Sequence, residues 1–344
     1  MSKDAETDRT DGNQKLCDGK LPPDVLERKI LKLRGAHLPE VLAGPGIGED
    51  AALIRWPQDQ LLAASSDPIV GAIQGAGKLL VAINANDIAC KGGDPRYLIV
   101  TLIVPAENGV EKAQSLMSEI DESCRELGIA IVGGHTELTS RYDRPVVVGT
   151  MLGPTTYHYT AEAIQSGDCI LMTKHAGLEG MSILAHDRPD MLSFLTTGEI
   201  NQMRAWQQEI SIVPEAALLR DLVLYMHDPT EGGLRGGLEE LSRLSRRAIN
   251  LDPSRVTLAD LTRRAAAELC FDPLCLISSG VLLAVLPPAK VEIAQQRLAD
   301  NRIPSAIIGS MGDKVSERKE GQENDGLTFP SKEELWRLLA WPAQ

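Results

Sequence analysis

Gly44-Pro45-Gly46-Ile47-Gly48-Glu49-Asp50-Ala51-Ala52 decides how this chain is read. Its alternating glycines let backbone N–H groups come close to a phosphate, and two acids follow at once. The run after it, Ala51–Trp56, is β-like. That excludes the dinucleotide fingerprint, which opens a helix. The lack of a Gly-Lys-Ser/Thr ending excludes the Walker A loop. Alone, the stretch reads equally well as a tight connection into a strand.

Four further segments place acids at or near element ends: Ser66-Asp67-Pro68, Asn84-Ala85-Asn86-Asp87, Gly133-Gly134-His135-Thr136-Glu137 and His227-Asp228-Pro229-Thr230-Glu231-Gly232-Gly233. Acids converging without a basic cluster suit a hard cation such as Mg²⁺, which takes a few carboxylates alongside phosphate oxygens. The residues therefore point to metal–nucleotide chemistry. Asp87 lies in an apolar helical run, where an acid is costly unless paired or metal-bound; the alternative is that it turns to solvent. His135 follows a Gly-Gly pair at the end of a buried strand, so a loop position is expected, where sites gather. Asp228-Pro229-Thr230-Glu231 has the pattern of a helix start, with Asp at the N-cap, Pro at N1 and Glu at N3. Gly232-Gly233 and Gly236-Gly237 weaken that helix by about 1 kcal/mol each against Ala. They suggest a backbone or ligand close to an end that favours anions.

Composition narrows the class. A chain of 344 residues, 43% apolar and 24% charged, holds two domains with sizeable cores. A net charge of −13 and 3% aromatics argue against a nucleic-acid partner. Arg243, Arg246 and Arg247 read as a solvated helix face. The six cysteines form no CxxC pair, so reduced, mostly buried thiols are expected rather than zinc ligands. The polar start and the lack of long apolar runs predict neither a secretory signal nor a membrane span, and a cytoplasmic location.

Residues 1–20 read as a disordered tail, and a helix is expected from Leu21 to about Leu33. Ala51–Trp56 and Gln60–Ser65 form a candidate hairpin. The spacing predicts a helix over Lys78–Lys91, with Leu79, Ala82, Ile83, Ile88 and Ala89 near one face. Tyr97–Val104 reads as a buried strand. Val110–Leu127 is an amphipathic helix ended by Gly128, and Ile129–Val132 and Val146–Leu152 are further strands. A polar connection near 155–165 precedes a second series: a strand at Asp168–Thr173, helical stretches after Gly180, over 196–224 and after Asp228, then a strand at Val281–Leu286. A helix at Lys290–Asp300, a strand at Ala306–Ser310, a charged loop over 314–327 and a helix at Lys332–Leu339 complete it.

Together, Gly48–Ala52, Asp67, Asn84–Ala89, Gly133–Thr136, Thr173–Gly180, His227–Leu234 and Asp272–Gly280 resemble the AIR synthase-like (PurM-like) superfamily over about residues 25–340. The pattern is similar to its hydrogenase-maturation HypE branch. The resemblance implies an α+β protein with an N-terminal domain over 21–155 and a C-terminal α/β domain over 156–344. The N-terminal domain would pair with a second copy in a barrel-like interface. It implies ATP, with Mg²⁺ on Glu49, Asp50, Asp67 and Asp87. Gly46, Gly48, Asp50, Asp67, Gly133, Gly134, Lys174, Gly232 and Gly233 would line the nucleotide site, and Asp87, His135 and Asp228 would be catalytic. The family chemistry activates an amide or similar oxygen by phosphorylation.

Several positions depart from the pattern. The sequence ends Leu339-Ala340-Trp341-Pro342-Ala343-Gln344, with none of the terminal cysteine of the HypE branch. His135 stands for an acid, Glu137 for a lysine and His175 for a glycine. The resemblance thus implies an ATP-driven step on a small molecule or a group carried by a partner, such as another maturation protein. The alternative is a non-catalytic nucleotide-binding scaffold.

Overall fold

The computed structural model describes residues 41–43, 47–48, 52–55, 59–105, 109–315 and 333–340. The expected tail at 1–20, the helix from Leu21, the sites at Gly46, Glu49 and Asp50, and most of the 314–327 loop lie outside the described residues. The protein has an α+β fold. Its described strands form two sheets, one before residue 156 and one after residue 168.

The first sheet has the order β1(Val41–Ala43), β2(Ala52–Arg55), β3(Leu61–Ile69), β6(Val146–Thr155), β4(Tyr97–Pro105), β5(Ala130–Thr139). Every pairing is antiparallel except β4 with β5. That parallel pair needs a crossover, supplied by α2(Gly109–Leu127), after which Gly128 turns the chain with φ 70°. One face of β4 carries the buried Leu98, Val100, Leu102 and Val104, which pack with Leu79, Leu80 and Ile88 of α1(Ala76–Cys90) and Leu116 and Ile120 of α2. Among the described residues nothing covers the other face: Tyr97 is 49%, Ile99 37% and Val132 54% exposed. Tyr97–Val104 is thus buried on one side only.

β5 runs further than the sequence suggests. Gly133-Gly134-His135-Thr136-Glu137 continue it along β4, past a bulge where Leu98 pairs Ile131 but Ile99 pairs Gly133. His135 therefore lies on an exposed edge strand instead of a loop. Backbone pairing makes this strand, and side-chain pattern does not report it. A Cβ at Gly134 would fall 2.0 Å from the Val100 carbonyl oxygen, so only glycine fits there.

The second sheet has the order β8(Tyr225–His227), β10(Leu283–Leu286), β7(Cys169–Thr173), β11(Ser305–Lys314), β9(Arg247–Leu251), antiparallel throughout. Both faces are covered, which explains its continuous apolar runs. Ile170, Met172, Leu283 and Val285 pack with Leu234, Leu238 and Leu241 of α6(Gly233–Ser245). Leu171, Ala284 and Leu286 face Ala216 and Leu219 of α5(Val213–Leu219) and Ala294 and Leu298 of α8(Val291–Asp300). The stretch 196–224 is broken into α4(Thr197–Ala205), a 3-10 turn at Trp206–Glu209, and α5. Arg247 belongs to no solvated face. It is buried in β9, donating to the carbonyls of Ile164 and Gly312 and to the Gln165 side chain.

The two halves meet around α1. A single-faced helix is what its spacing suggests, yet nearly every residue is buried, including Asn84, Asn86 and Asp87. The helix is enclosed because the first sheet covers one side and the second half the other. α3(Leu178–Asp187), α7(Asp260–Leu269) and α9(Glu334–Leu339) add Leu178, Met181, Leu261, Leu335 and Leu338 to the core that α1 anchors. Among the described residues no helix is long and apolar enough to cross a membrane.

Candidate active site between the two halves

The Asn84–Asp87 turn of α1 builds the site. Asn84 and Asn86 lie two positions apart, so their side chains diverge by about 200° around the axis. Asn84 faces the first sheet: its Oδ1 accepts the Asp67 backbone N–H at 3.0 Å, and its Nδ2 donates to the Asp67 carbonyl at 3.3 Å and the Leu80 carbonyl at 2.9 Å. Gly149 opposite makes room, since a Cβ there would sit 2.8 Å from that Nδ2. Asn86 faces the second half. Its Nδ2 donates to Asp228 Oδ2 at 2.9 Å and to the Ile210 carbonyl at 3.0 Å, and its Oδ1 accepts the Ile212 N–H at 2.8 Å. One turn of helix thus fixes Asp67 on one side and Asp228 on the other.

Asp87 does not turn to solvent. It is 5% exposed, and Ser65 Oγ donates to its Oδ2 while standing 3.4 Å from Asp67 Oδ2. Asp67 and Asp87 open onto a cavity of about 180 Å³. Its floor and walls include Ile83 of α1, Glu179 and Ile183 of α3, and Thr230 and Glu231 after β8. Ile277, Ser279, Leu335 and Trp336 close it.

The Asp228 segment departs from its capping pattern. α6 begins at Gly233 with Gly232 as N-cap at φ 80°, a left-handed geometry that favours glycine. Asp228, 1% exposed, is drawn to Asn86 instead. Gly233 is needed for space: a Cβ would meet the Leu276 and Leu274 carbonyl oxygens at 2.5 and 2.6 Å. The Gly232 N–H donates at 2.6 Å to the carboxylate of Glu333.

Gly48, the described end of the glycine-rich stretch, reaches the same region. Its carbonyl accepts the Tyr225 hydroxyl at 2.9 Å, and the buried Lys91 ammonium donates to that hydroxyl at 3.0 Å. Next to it, His227 Nε2 lies 2.8 Å from Glu240 Oε2.

Other expected site residues lie elsewhere. Lys174 spends its ammonium on Glu215 at 2.6 Å and on the carbonyls of Glu209 and Ser211. His135 is separated from the Asp67 end of β3 by two strands: Pro68 pairs Val148, Val148 pairs Thr101, and Thr101 pairs His135. Three strand spacings put it roughly 14 Å away. Gly133 and Gly134 share that strand. His175 packs edge-on against Trp206, and burial lowers its pKa. Sequence reasoning passed over Tyr225 and Glu333, read Ser65 only as part of a strand, and gave Glu179 and Ser279 no role, although both lie in the Thr173–Gly180 and Asp272–Gly280 segments that carry the resemblance.

Two family models match this arrangement: AIR synthase related protein, N-terminal domain, over residues 48–155 and AIR synthase related protein, C-terminal domain, over 165–320. The chain belongs to the AIR synthase related family. Among curated proteins it is 35% identical over 178 residues to a thiamine-monophosphate kinase of Rhodopirellula baltica. That match covers 46% of this chain and only 54% of the kinase. It is 26% identical to the carbamoyl dehydratase HypE of Azotobacter vinelandii, over 76% of this chain and 78% of that one. A crystal structure of the hydrogenase maturation protein HypE in complex with ATP superposes with a TM-score of 0.64 at 22% identity, covering 86% of this chain and 87% of that one. At that identity the superposition shows the family fold.

Proposed function

We propose that this family member is an ATP-dependent enzyme. It binds ATP with Mg²⁺ in the cleft between its halves and phosphorylates an oxygen of a small-molecule or partner-borne acceptor. One observation carries the reading: β3 and α1 bring Asp67 and Asp87 to one cavity wall, where they share Ser65. Among the described residues no three metal-ligating side chains stand together. A pair of carboxylates is the donor set Mg²⁺ takes when phosphates and water supply its other ligands, so these residues fit it. Asp67 and Asp87 would hold the ion, with Glu49 and Asp50 following Gly48 in sequence. When bound, it neutralises charge on the phosphates. The names of two relatives, a kinase and a protein crystallised with ATP, support the same cosubstrate.

In the transfer, the acceptor oxygen bonds to the γ-phosphorus as the bond to the bridging oxygen breaks. ADP leaves with that electron pair, and the acceptor proton passes to a cavity carboxylate, Glu179 or Glu231. Asn86 keeps the two halves in register across the cleft, and Asn84 holds Asp67 in place within the first. Thermal melting with Mg-ATP tests binding, because a ligand of the folded state raises the melting temperature. Asp67→Asn and Asp87→Asn should each reduce the rise. No rise at millimolar nucleotide would refute the site. ADP formation separates an enzyme from a scaffold that binds without turnover.

A second copy is the partner that the uncovered face of the first sheet supports. Tyr97, Ile99 and Val132 are apolar and exposed, and among the described residues no strand pairs with the outer edge of β5. Light scattering should give twice the 37.2 kDa chain mass. A monomer at micromolar concentration would contradict the pairing.

A further inference from the structure

Among the described residues, every charged side chain lining the cavity between the halves is an acid. Asp67 and Asp87 come from β3 and α1, and Glu179 and Glu231 from α3 and the turn after β8. No Lys, Arg or His joins them in that lining. Mg-ATP is itself anionic and, held on Asp67 and Asp87, brings no charge that balances the two glutamates. Glu179 is 2% exposed, and charges interact strongly away from water, so a carboxylate or phosphate ester entering beside it is repelled. An independent feature marks the same cavity. Ser279 is 0% exposed, lines it, and its Oγ has no hydrogen-bond partner among the described residues. A buried hydroxyl left so is costly, and an oxygen of a ligand in the cavity would satisfy it.

We infer that this cavity takes the acceptor as a small amino alcohol, with its ammonium group on Glu179 and Glu231 and its oxygen accepting from Ser279 Oγ. Its place as phosphoryl acceptor rests on the ATP-dependent reading; the binding of a cationic alcohol does not. Ile83 and Ile183 supply apolar wall for the carbon chain, and Trp336 adds an aromatic ring, whose face attracts a cation. A cavity of about 150 Å³ takes a benzene ring, so one of about 180 Å³ holds a molecule of a few carbons. In the transfer, the alcohol oxygen bonds to the γ-phosphorus, the bond to the bridging oxygen breaks, and ADP leaves with that electron pair. The hydroxyl proton passes to one glutamate, and the other, still ionised, keeps the ammonium group. The product is a phosphate ester whose new negative charge faces the same acids, which favours its release.

Melting of the full chain without nucleotide or Mg²⁺ tests the site apart from the chemistry. Ethanolamine, ethylene glycol and glycolate are close in size and differ in charge, and each is added at tens of millimolar with sodium chloride matching the ionic strength. Ethanolamine should raise the melting temperature by about 2 °C, and the other two should leave it unchanged. Glu179→Gln and Glu231→Gln should each remove most of that rise, and Ser279→Ala should reduce it. No rise with ethanolamine, or an equal rise with ethylene glycol or glycolate, would overturn the proposal. That comparison is made on wild type, so it decides even where a variant does not fold. With Mg-ATP present, ethanolamine should speed ADP formation about tenfold or more, with phosphoethanolamine as the product by phosphorus NMR. Mg-ATP binding without that product would overturn the acceptor role. No Mg-ATP binding at all would instead reject the ATP-dependent reading, and the cation site would still stand on the ethanolamine shift.

Discussion

Asn86→Ala strikes the joint between the two halves. The side chain is fully buried and makes three hydrogen bonds of 2.8–3.0 Å, to Ile210, Ile212 and Asp228. Alanine leaves a buried N–H, a buried carbonyl and one carboxylate oxygen short of a partner. Each backbone group left so costs about 1–3 kcal/mol, so a loss of about 4 kcal/mol is expected. For a chain of this size that corresponds to a fall of roughly 5 °C in melting temperature. Asn86→Asp separates hydrogen bonding from volume. It keeps the acceptor for Ile212 but sets a carboxylate against Asp228 and the Ile210 carbonyl, so at pH 7 it should melt below Asn86→Ala. Differential scanning calorimetry of the three proteins reads both effects. A fall under about 2 °C for Asn86→Ala, or Asp milder than Ala, would refute the account of Asn86 as the pin between halves.

Gly149→Ala should act at a distance, because its Cβ would fall 2.8 Å from Asn84 Nδ2 and disturb the asparagine that holds Asp67; a Mg-ATP thermal shift equal to wild type would count against it. Among the described cysteines, labelling with iodoacetamide at pH 8 should modify the exposed Cys270 first. It should spare Cys124 and Cys275, whose thiols burial pushes up to about 12; peptide mass spectrometry showing Cys275 labelled as fast as Cys270 would contradict this. Glu333 gives a pH signature. Its folded pKa of about 7 stands above the ordinary 4.5, so the stability it supplies is complete below about pH 4.5 and lost as pH rises through about 7. The loss is at most roughly 3 kcal/mol. The melting temperature of wild type relative to Glu333→Gln should therefore fall between pH 5 and 8, and a pH-independent difference would reject the assignment.

Much of the fold was legible where local signals agreed with tertiary demand. The β4–α2–β5 unit follows from an apolar strand, an amphipathic helix and Gly128, each pointing the same way. In the second sheet β7, β10 and β11 were legible because burial on both faces gave them apolar runs, whereas the short edge strands β8 and β9 were not expected. Local signals misled where the other half of the protein decided. Asp228-Pro229 has a capping pattern, yet Asn86 claims the carboxylate and the helix starts later, at Gly233. Gly133-Gly134 looks like a strand end, but the ladder to β4 carries on through it. Asp67 and Asp87 were readable as acids with a purpose because each adjoins an apolar run. Glu333 was hidden by its charged neighbours, and Ser65 and Tyr225 by their ordinary surroundings, since only three-dimensional proximity distinguishes them.

Isothermal titration of ATP into the protein, with Mg²⁺ and then with excess EDTA, tests the central claim most directly. The account predicts saturable binding with Mg²⁺ that is lost with EDTA and weakens about tenfold or more in Asp87→Asn, whose carboxylate is one of two facing the cavity wall shared with Ser65. Binding of equal strength without Mg²⁺, or no binding at millimolar ATP, would contradict it.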